Sequence, residues 1–198
     1  MSKIYYMMGK SSTGKDTLYK RIFSDVNLQL KTVIPYTTRP IREGEQDGVE
    51  YFFCDAAKVE ELEEAGKVIE RRDYNTVHGI WTYFTVDDGQ IDLVNQDYLI
   101  IGTLESYHKI RDYYGKEFLV PIYIEVEDGE RLQRALNREK EQAVPKYEEM
   151  CRRFLADAKD FSEENLKAAE ITKRFVNRDL DETEAEIKAY IKEMKADA

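Results

Sequence analysis

Cysteine, proline and glycine are all scarce in this 198-residue sequence, and each shortage excludes a class of protein. The two cysteines, Cys54 and Cys151, cannot form the disulfide framework of a small secreted domain. Four prolines and ten glycines form no linker, which favours a single domain. No apolar run reaches the roughly 18 residues that a membrane helix needs, and the N-terminus lacks a signal-peptide core. We therefore expect a cytoplasmic protein that has no membrane partner.

Basic side chains are outnumbered as well. Forty aspartates and glutamates face 30 lysines and arginines, which gives a formal net charge of −10. A surface of this sign repels phosphate backbones and anionic lipids, which argues against a nucleic-acid partner. Any anion that binds must therefore meet a local cluster of donors. Hydrophobic residues make up 42% of the chain, which is enough for a buried core without disulfides. The composition does not determine the oligomeric state.

Apolar segments alternate with helical patterns along most of the chain. We predict strands over residues 3–8, 28–36, 51–53, 68–73, 80–86, 98–102, 118–126 and 173–176. We predict helices over residues 15–23, 55–66, 105–113, 131–141 and 146–161, and a last helix that Asp181 caps. This alternation indicates an α/β fold with a parallel sheet core flanked by helices. The segment from about 37 to 86 breaks the alternation and indicates a projecting lobe, in which we assign Trp81, Tyr83 and Phe84 to a buried strand without ligand contact.

The strongest local motif follows the first predicted strand and opens the first predicted helix. It consists of Gly9, Lys10, Ser11, Ser12, Thr13, Gly14 and Lys15, followed by Asp16 and Thr17. In this context the pattern G-x-x-x-x-G-K predicts a phosphate loop, because backbone N–H groups and a helix N-terminus converge on an anion. Lys15 then reaches the terminal phosphates of a nucleotide. The alternative is a glycine-rich turn without a ligand.

Asp16 stands where such loops usually carry serine or threonine. A carboxylate supplies the hard oxygen that Mg²⁺ prefers, which makes Asp16 the candidate metal ligand. The alternative role for this side chain is to cap the helix that follows.

A polar segment after the loop carries two arginines three residues apart, a spacing suited to gripping a phosphate. The segment runs from Tyr36 to Phe53 and reads YTTRPIREGEQDGVEYFF. With the phosphate loop before it, Val68-Ile69-Glu70 after it and Phe175-Val176-Asn177 near the end, the sequence resembles the guanylate kinase family over nearly its whole length. The resemblance implies a P-loop kinase fold. Its parts are a core (about 1–35, 97–126 and 162–198), a small nucleoside-monophosphate-binding lobe (about 36–88) and a helical lid (about 127–161).

The resemblance also implies a reaction, in which ATP donates its γ-phosphoryl group to the phosphate of GMP or dGMP, with Mg²⁺ as cofactor. The residues implied at the acceptor are Arg39, Arg42, Tyr51, Glu70 and Gly79, with Glu70 binding the guanine edge. The residues implied at ATP are those of the phosphate loop from Gly9 to Thr17, with Asn177 near the adenine. The implied catalytic residues are Lys15, Arg39, Arg138 and Arg153, of which the last two belong to the lid.

Several positions depart from the family pattern. Side chains expected near the acceptor base are replaced at Pro35, His78, Ile80, Gly102 and Thr103, and Gln142 stands near the place of a lid arginine. These changes leave the phosphate-handling residues intact and remove contacts to guanine. Two alternatives therefore stay open: a kinase that acts on another phosphorylated small molecule, and a catalytically inactive guanylate kinase-like binding module.

Overall fold

The computed structural model describes residues 2–76 and 79–196, which form two sheets and seven α-helices. The strands are β1 (Ile4–Met8), β2 (Leu30–Lys31), β3 (Tyr36–Thr37), β4 (Phe52–Phe53), β5 (Val68–Thr76), β6 (Gly79–Val86), β7 (Asp97–Ile101), β8 (Leu119–Glu125) and β9 (Arg174–Val176). The helices are α1 (Lys15–Phe23), α2 (Ala56–Glu64), α3 (Leu104–Tyr114), α4 (Asp128–Lys140), α5 (Tyr147–Asp160), α6 (Glu163–Ala168) and α7 (Leu180–Ala196). Short 3-10 helices cover Val26–Leu28 and Lys116–Phe118. Among the described residues, no helix combines the length and the apolar character of a membrane span.

The first sheet is parallel throughout, in the order β2-β7-β1-β8-β9. Its central strand β1 is buried at every position, because helices cover both faces. Tyr5 and Met7 pack with α1 and α7, whereas Ile4, Tyr6 and Met8 pack with α3. Two-sided burial explains why an unbroken apolar run forms this strand. The predicted α/β fold with a parallel sheet core is confirmed.

The predicted strand over residues 28–36 is wrong. Asp25 caps a short 3-10 turn by accepting from the N–H of Asn27 at 3.1 Å, and Gln29 then adopts a left-handed backbone with a φ of 48°. This reversal leaves only Leu30–Lys31 for the edge of the first sheet, while Tyr36–Thr37 joins the second sheet. Apolar content did not reveal the turn, because positive φ is uncommon for glutamine and no glycine marks the position.

Two helical predictions also need correction. Helix α6 was not predicted, and its N-cap Ser162 accepts a backbone N–H at 3.3 Å. The last helix begins at Leu180 and is not capped by Asp181, because Asp179 accepts two backbone N–H groups at 2.9 and 3.0 Å. Two aspartates this close offer equivalent capping signals, which the sequence does not rank.

The second sheet contains the strands of the segment that breaks the alternation, in the order β4-β3-β6-β5. Strands β5 and β6 form a long antiparallel hairpin, with Glu70 opposite Thr85 and Arg72 opposite Tyr83. Phe84, on the other face, packs with α2 in a small core of its own. A two-stranded hairpin needs such a partner to be stable.

A close contact follows the end of β7. Gly102 donates its N–H to the Met7 carbonyl at 3.0 Å, and the Tyr6 hydroxyl lies where a Cβ at position 102 would be. Tyr6 is fully buried, with its ring centroid 5.5 Å from that of Tyr107, so it has no free space in which to withdraw. The lack of a side chain at position 102 is therefore a packing requirement of Tyr6.

The variant Gly102→Ala is expected to lose about 1–3 kcal/mol of unfolding free energy, the range for overpacking a dense core. Urea unfolding followed by circular dichroism measures this loss. The double variant Tyr6→Phe, Gly102→Ala should recover part of it, because the hydroxyl oxygen is the atom nearest to the new methyl group. A Gly102→Ala protein as stable as the unmodified chain would contradict the packing requirement.

Candidate active site

The phosphate loop joins β1 to α1 in a space too narrow for side chains at its two glycines. A Cβ at Gly9 would lie 2.5 Å from the carbonyl oxygen of Ile124, and one at Gly14 would lie 2.6 Å from the Nδ2 atom of Asn177. Gly14 also has a left-handed backbone, with a φ of 84°. The glycines are thus required by the close approach of β8 and of the chain after β9.

The loop leaves a run of backbone donors without partners. Within the described part of the chain, the N–H groups of residues 12–17 meet no protein acceptor, and α1 begins at Lys15 without a side-chain cap. The Thr13 hydroxyl donates to the Lys10 carbonyl at 2.8 Å and closes the loop. Unpaired N–H groups at a helix N-terminus form an anion site, because their partial positive charges add up there.

Lys15 and Asp16 open α1 as neighbours. The Lys15 Nζ atom lies 3.2 Å from the Asp16 carboxylate, and the two side chains are 20% and 78% exposed. The helix start has no side-chain cap, so the capping role of Asp16 is not supported. An exposed carboxylate beside a phosphate loop fits Mg²⁺, which keeps several waters and needs one or two protein ligands.

Asn177 supports the loop from the chain after β9. Its side chain is buried, its Nδ2 atom donates to the Thr13 carbonyl at 2.7 Å, and its Oδ1 atom accepts from the Thr183 hydroxyl at 3.4 Å. This supporting role was not predicted, because Asn177 and Thr13 lie 164 positions apart in the sequence. A contact between Asn177 and adenine stays a prediction.

Asp157 and Arg131 hold the start of the loop, and both were missed in the sequence. Asp157 accepts from the Ser11 N–H at 2.7 Å. Arg131 is 1% exposed, donates to the Ser11 carbonyl at 3.3 Å, and pairs with Asp157 and Asp128 at 3.3 and 3.1 Å. An arginine within a charged helix is typical of a solvated surface, so no sequence signal marked this one as buried.

A cavity of about 320 Å³ lies between the loop and helices α4 and α5. Its lining includes Ser11, Ser12, Arg138 and Arg153, so the two predicted lid arginines share one space with the phosphate loop. Both arginines are exposed. That they act on a group bound at the loop stays a prediction.

Arg153 is paired with a carboxylate of its own helix. The Nε atom of Arg153 donates to Glu149 at 2.7 Å, and Glu149 also pairs with Arg152. The hydrogen bonds from Arg152 and Arg153 lower the pKa of Glu149 to about 2. The Arg153 side chain is 57% exposed, so a phosphate can replace Glu149 without much desolvation.

Arg39, which is predicted to hold the acceptor phosphate, is buried and fixed by several contacts. It is 4% exposed, and its Nη1 and Nη2 atoms donate to the carboxylate of Glu45 at 2.7 and 2.6 Å. Its guanidinium also lies over the rings of Tyr51 and Phe53, 5.1 and 5.4 Å from their centroids. Pairing with Glu45 raises the pKa of Arg39, and the same pairing lowers the pKa of Glu45 to about 2. Arg39 is therefore a fixed and permanently charged group.

Tyr83 is a neighbour of Arg39, although the sequence analysis assigned it to a buried strand without ligand contact. Arg42 is exposed, and its backbone N–H donates to Glu45 at 2.8 Å. Tyr51 meets the ring of Tyr83 edge-on, with centroids 5.6 Å apart, and Tyr83 also interacts with Arg39. Tyr83 is thus a further candidate for the acceptor site.

Glu70, the predicted ligand of guanine, is buried and already paired. Its side chain is 1% exposed, and it accepts from Arg72 at 2.9 and 3.1 Å and from the Thr85 hydroxyl at 2.9 Å. Neither partner was identified from the sequence. The register of the β5–β6 hairpin brings them to Glu70, and register has no local signal here.

Gly79 and Ile80 lie at the exposed end of the hairpin. Six positions along β6 separate Gly79 from Thr85, which is about 20 Å at a rise of about 3.3 Å per residue. The register therefore gives no support to the expectation that Gly79 lines the same site as Glu70. His78 lies outside the described residues.

The other departures from the family pattern have structural roles. Thr103 caps α3 by accepting a backbone N–H at 3.2 Å, and Gly102 makes room for Tyr6. The Pro35 carbonyl accepts a strand N–H at 2.9 Å. Gln142 lines the cavity between the loop and the two helices, in the company of the lid arginines.

Comparisons with known proteins agree with this architecture. The sequence model described as "Guanylate kinase" matches residues 1–194. The curated guanylate kinases of Streptococcus mutans serotype c and Streptococcus pyogenes serotype M3 are 42% and 41% identical to the chain over 66 residues. Those alignments cover 33% of this chain and 31% of each relative, so the match spans about a third of the relatives' length.

Among solved structures, the crystal structure of guanylate kinase from Anaplasma phagocytophilum is similar, with a TM-score of 0.65. The superposition covers 98% of this chain and 86% of that chain, at 21% sequence identity. This likeness shows the fold, an α/β architecture with helices on both sides of a parallel sheet.

The Glu45–Arg39 pair predicts a pH dependence of stability. The pKa of Glu45 falls from its ordinary value of 4.5 to about 2 on folding, so the pair stabilises the protein above pH 4.5 and loses this effect as the pH falls towards 2. Glu45→Gln should lower stability at pH 7 and flatten the pH dependence between these values. Urea unfolding at pH 3, 5 and 7 measures both, with Glu43→Gln as a control that keeps the original slope. An unchanged slope in Glu45→Gln would show that the pair does not form.

Proposed function

The chain belongs to the guanylate kinase family, and on that premise we propose that it transfers the γ-phosphoryl group of ATP to the phosphate of a small acceptor. The observation that carries the proposal is that one fold contains two groups of donors suited to anions. One is the run of unpaired N–H groups beside Lys15 in the phosphate loop. The other is the buried guanidinium of Arg39 in the second sheet.

In the proposed mechanism Lys15 and the loop hold the terminal phosphates of ATP, while Arg39 and Arg42 hold the acceptor phosphate in line with them. Asp16 would hold Mg²⁺, which would supply charge neutralisation on the phosphate oxygens. Arg138 and Arg153 neutralise the charge of the transferring phosphoryl group, after that group has replaced Glu149 as the partner of Arg153. No protein nucleophile is needed, because an oxygen of the acceptor phosphate attacks.

The same proposal assigns the parts of the chain. The second sheet falls within residues 36–88, the proposed acceptor lobe, and α4 and α5 fall within residues 127–161, the proposed lid. Closure of both parts over the core excludes water, which otherwise hydrolyses ATP. A cytoplasmic location belongs to this proposal as well.

Two classes of acceptor are candidates. Family membership favours GMP or dGMP. The pairing of Glu70 with Arg72 and Thr85 favours another phosphorylated small molecule, because guanine needs that carboxylate free. An inactive binding module is disfavoured, since the phosphate loop retains both glycines and Lys15.

Replacing Lys15 tests the phosphoryl transfer. Lys15→Met should keep the fold and lower turnover by about 100- to 1,000-fold, because it removes charge stabilisation that acts in the transition state. The measurement is ADP release with ATP and a panel of GMP, dGMP, AMP and UMP. Lys20→Met, an exposed position of the same helix, is the control and should keep the activity of the unmodified chain. Near-normal turnover in Lys15→Met would remove the phosphate loop from the mechanism.

Replacing Asp16 tests the proposed metal ligand. Asp16→Asn keeps the size of the side chain and removes its charge, so it should raise the Mg²⁺ concentration needed for tight ATP binding. Calorimetric titration of ATP at several Mg²⁺ concentrations measures this without turnover. If the Mg²⁺ dependence matches that of the unmodified chain, Asp16 does not hold the ion.

A further inference from the structure

Arg72 is a charged residue that the proposed mechanism leaves without a role. Its Nε and Nη2 atoms donate to the two oxygens of Glu70 at 2.9 and 3.1 Å, and the side chains of Arg72 and Glu70 are 18% and 1% exposed. With the Thr85 hydroxyl at 2.9 Å, Glu70 accepts three hydrogen bonds from its own chain. A carboxylate has about four acceptor positions, so Glu70 has little capacity left for a ligand.

Arg72 lies on the face of the hairpin that carries the acceptor residues. It stands opposite Tyr83, Tyr83 contacts Tyr51, and Tyr51 lies under the guanidinium of Arg39. Side chains directly opposite each other in a hairpin have Cβ atoms about 5 Å apart. Two tyrosine rings therefore connect the phosphate-gripping arginine to Arg72.

The guanidinium of Arg72 keeps donors that Glu70 does not use. A guanidinium has five N–H groups, and the three that do not bind Glu70 meet no acceptor among the described residues. At 18% exposure the Arg72 side chain is within reach of a ligand, and its remaining N–H groups can donate to a ligand oxygen.

We propose that Arg72 determines acceptor specificity, and that the acceptor presents a carbonyl or carboxylate oxygen to Arg72 in place of the N–H groups of guanine. This inference rests on the phosphoryl transfer proposed above. Guanine offers N1–H and its N2 amine at the edge that a carboxylate binds, and here both would face donors. An oxygen atom accepts from the same donors, and a hydrogen bond from a guanidinium is charge-assisted.

Calorimetric titration of the whole chain, without ATP, tests the acceptor chemistry. The probes are GMP, UMP, whose ring carries carbonyl oxygens, and 6-phosphogluconate, which carries a carboxylate at the end opposite its phosphate. UMP or 6-phosphogluconate should bind about 10-fold more tightly than GMP, and the better of the two distinguishes a carbonyl from a carboxylate. GMP as the tightest ligand of the unmodified chain would overturn the proposal.

Arg72→Ala should reverse the order of binding. It frees Glu70 for guanine, so GMP should bind more tightly and the oxygen-bearing probe more weakly, each by about 10- to 100-fold. Arg71→Ala is the matched control, because Arg71 lies on the opposite face of the same strand and pairs with Glu63 and Asp73. It should leave the three affinities unchanged, whereas an unchanged order in Arg72→Ala would overturn the proposal.

Arg72→Ala also leaves a buried carboxylate without its counter-charge, which can prevent folding. Arg72→Lys keeps the charge and loses the forked geometry of the guanidinium. The lysine variant should fold, bind the oxygen-bearing probe about 10-fold more weakly and gain nothing for GMP. If it binds every probe as the unmodified chain does, Arg72 does not set the specificity.

The test separates this inference from the proposed function, because binding is measured without catalysis. Binding in the expected order, with no ATP-dependent phosphorylation of any probe, would reject phosphoryl transfer and keep Arg72 as the residue that selects the ligand. Phosphorylation of GMP that Arg72→Ala abolishes would support the transfer and reject the role given to Arg72.

Discussion

The two-sided burial of β1 determines where the phosphate loop forms. This strand lies between β7 and β8, and the chain has to leave the sheet after Met8. Parallel strands end at the same edge of a sheet, so the chain after β8 and after β9 arrives beside the loop. Gly9 meets Ile124, and Asn177 reaches Thr13, for this reason. Three strands build the loop, although its sequence motif belongs to one segment.

Sequence motifs that lie within one segment of the chain were sufficient to predict part of the candidate site. Helix α1 begins at Lys15 and ends at Phe23 as predicted, because an apolar strand and a glycine-rich motif stand directly before it. Thr85, Tyr83 and Arg72 were not predicted, because their positions depend on how β5 pairs with β6. A shift of one residue in that pairing would turn these side chains to the opposite face, so their positions depend on contacts between the two strands and not on a motif within either strand.

Three of the cations implied by the family resemblance repeat one pattern in this acidic chain. Lys15, Arg39 and Arg153 each pair with a carboxylate close in sequence: Asp16, Glu45 and Glu149. In a protein with a net charge of −10, such pairs keep clustered cations from repelling one another. A bound phosphate offers the same oxygen chemistry as these carboxylates, so binding exchanges one partner for another and leaves the cation in place.

The ease of that exchange depends on where the displaced carboxylate goes. Glu149 and Glu45 have side chains that are 37% and 18% exposed, so each can return to water when a phosphate replaces it. Glu70 is 1% exposed and has no such route. A ligand that separated Glu70 from Arg72 would leave a buried carboxylate without its counter-charge, and breaking such a pair is costly. The chain thus retains a carboxylate at position 70, but the neighbours of that carboxylate change what it can bind. At this end of the hairpin face, Arg72 presents hydrogen-bond donors to a ligand in place of the free carboxylate oxygens of Glu70.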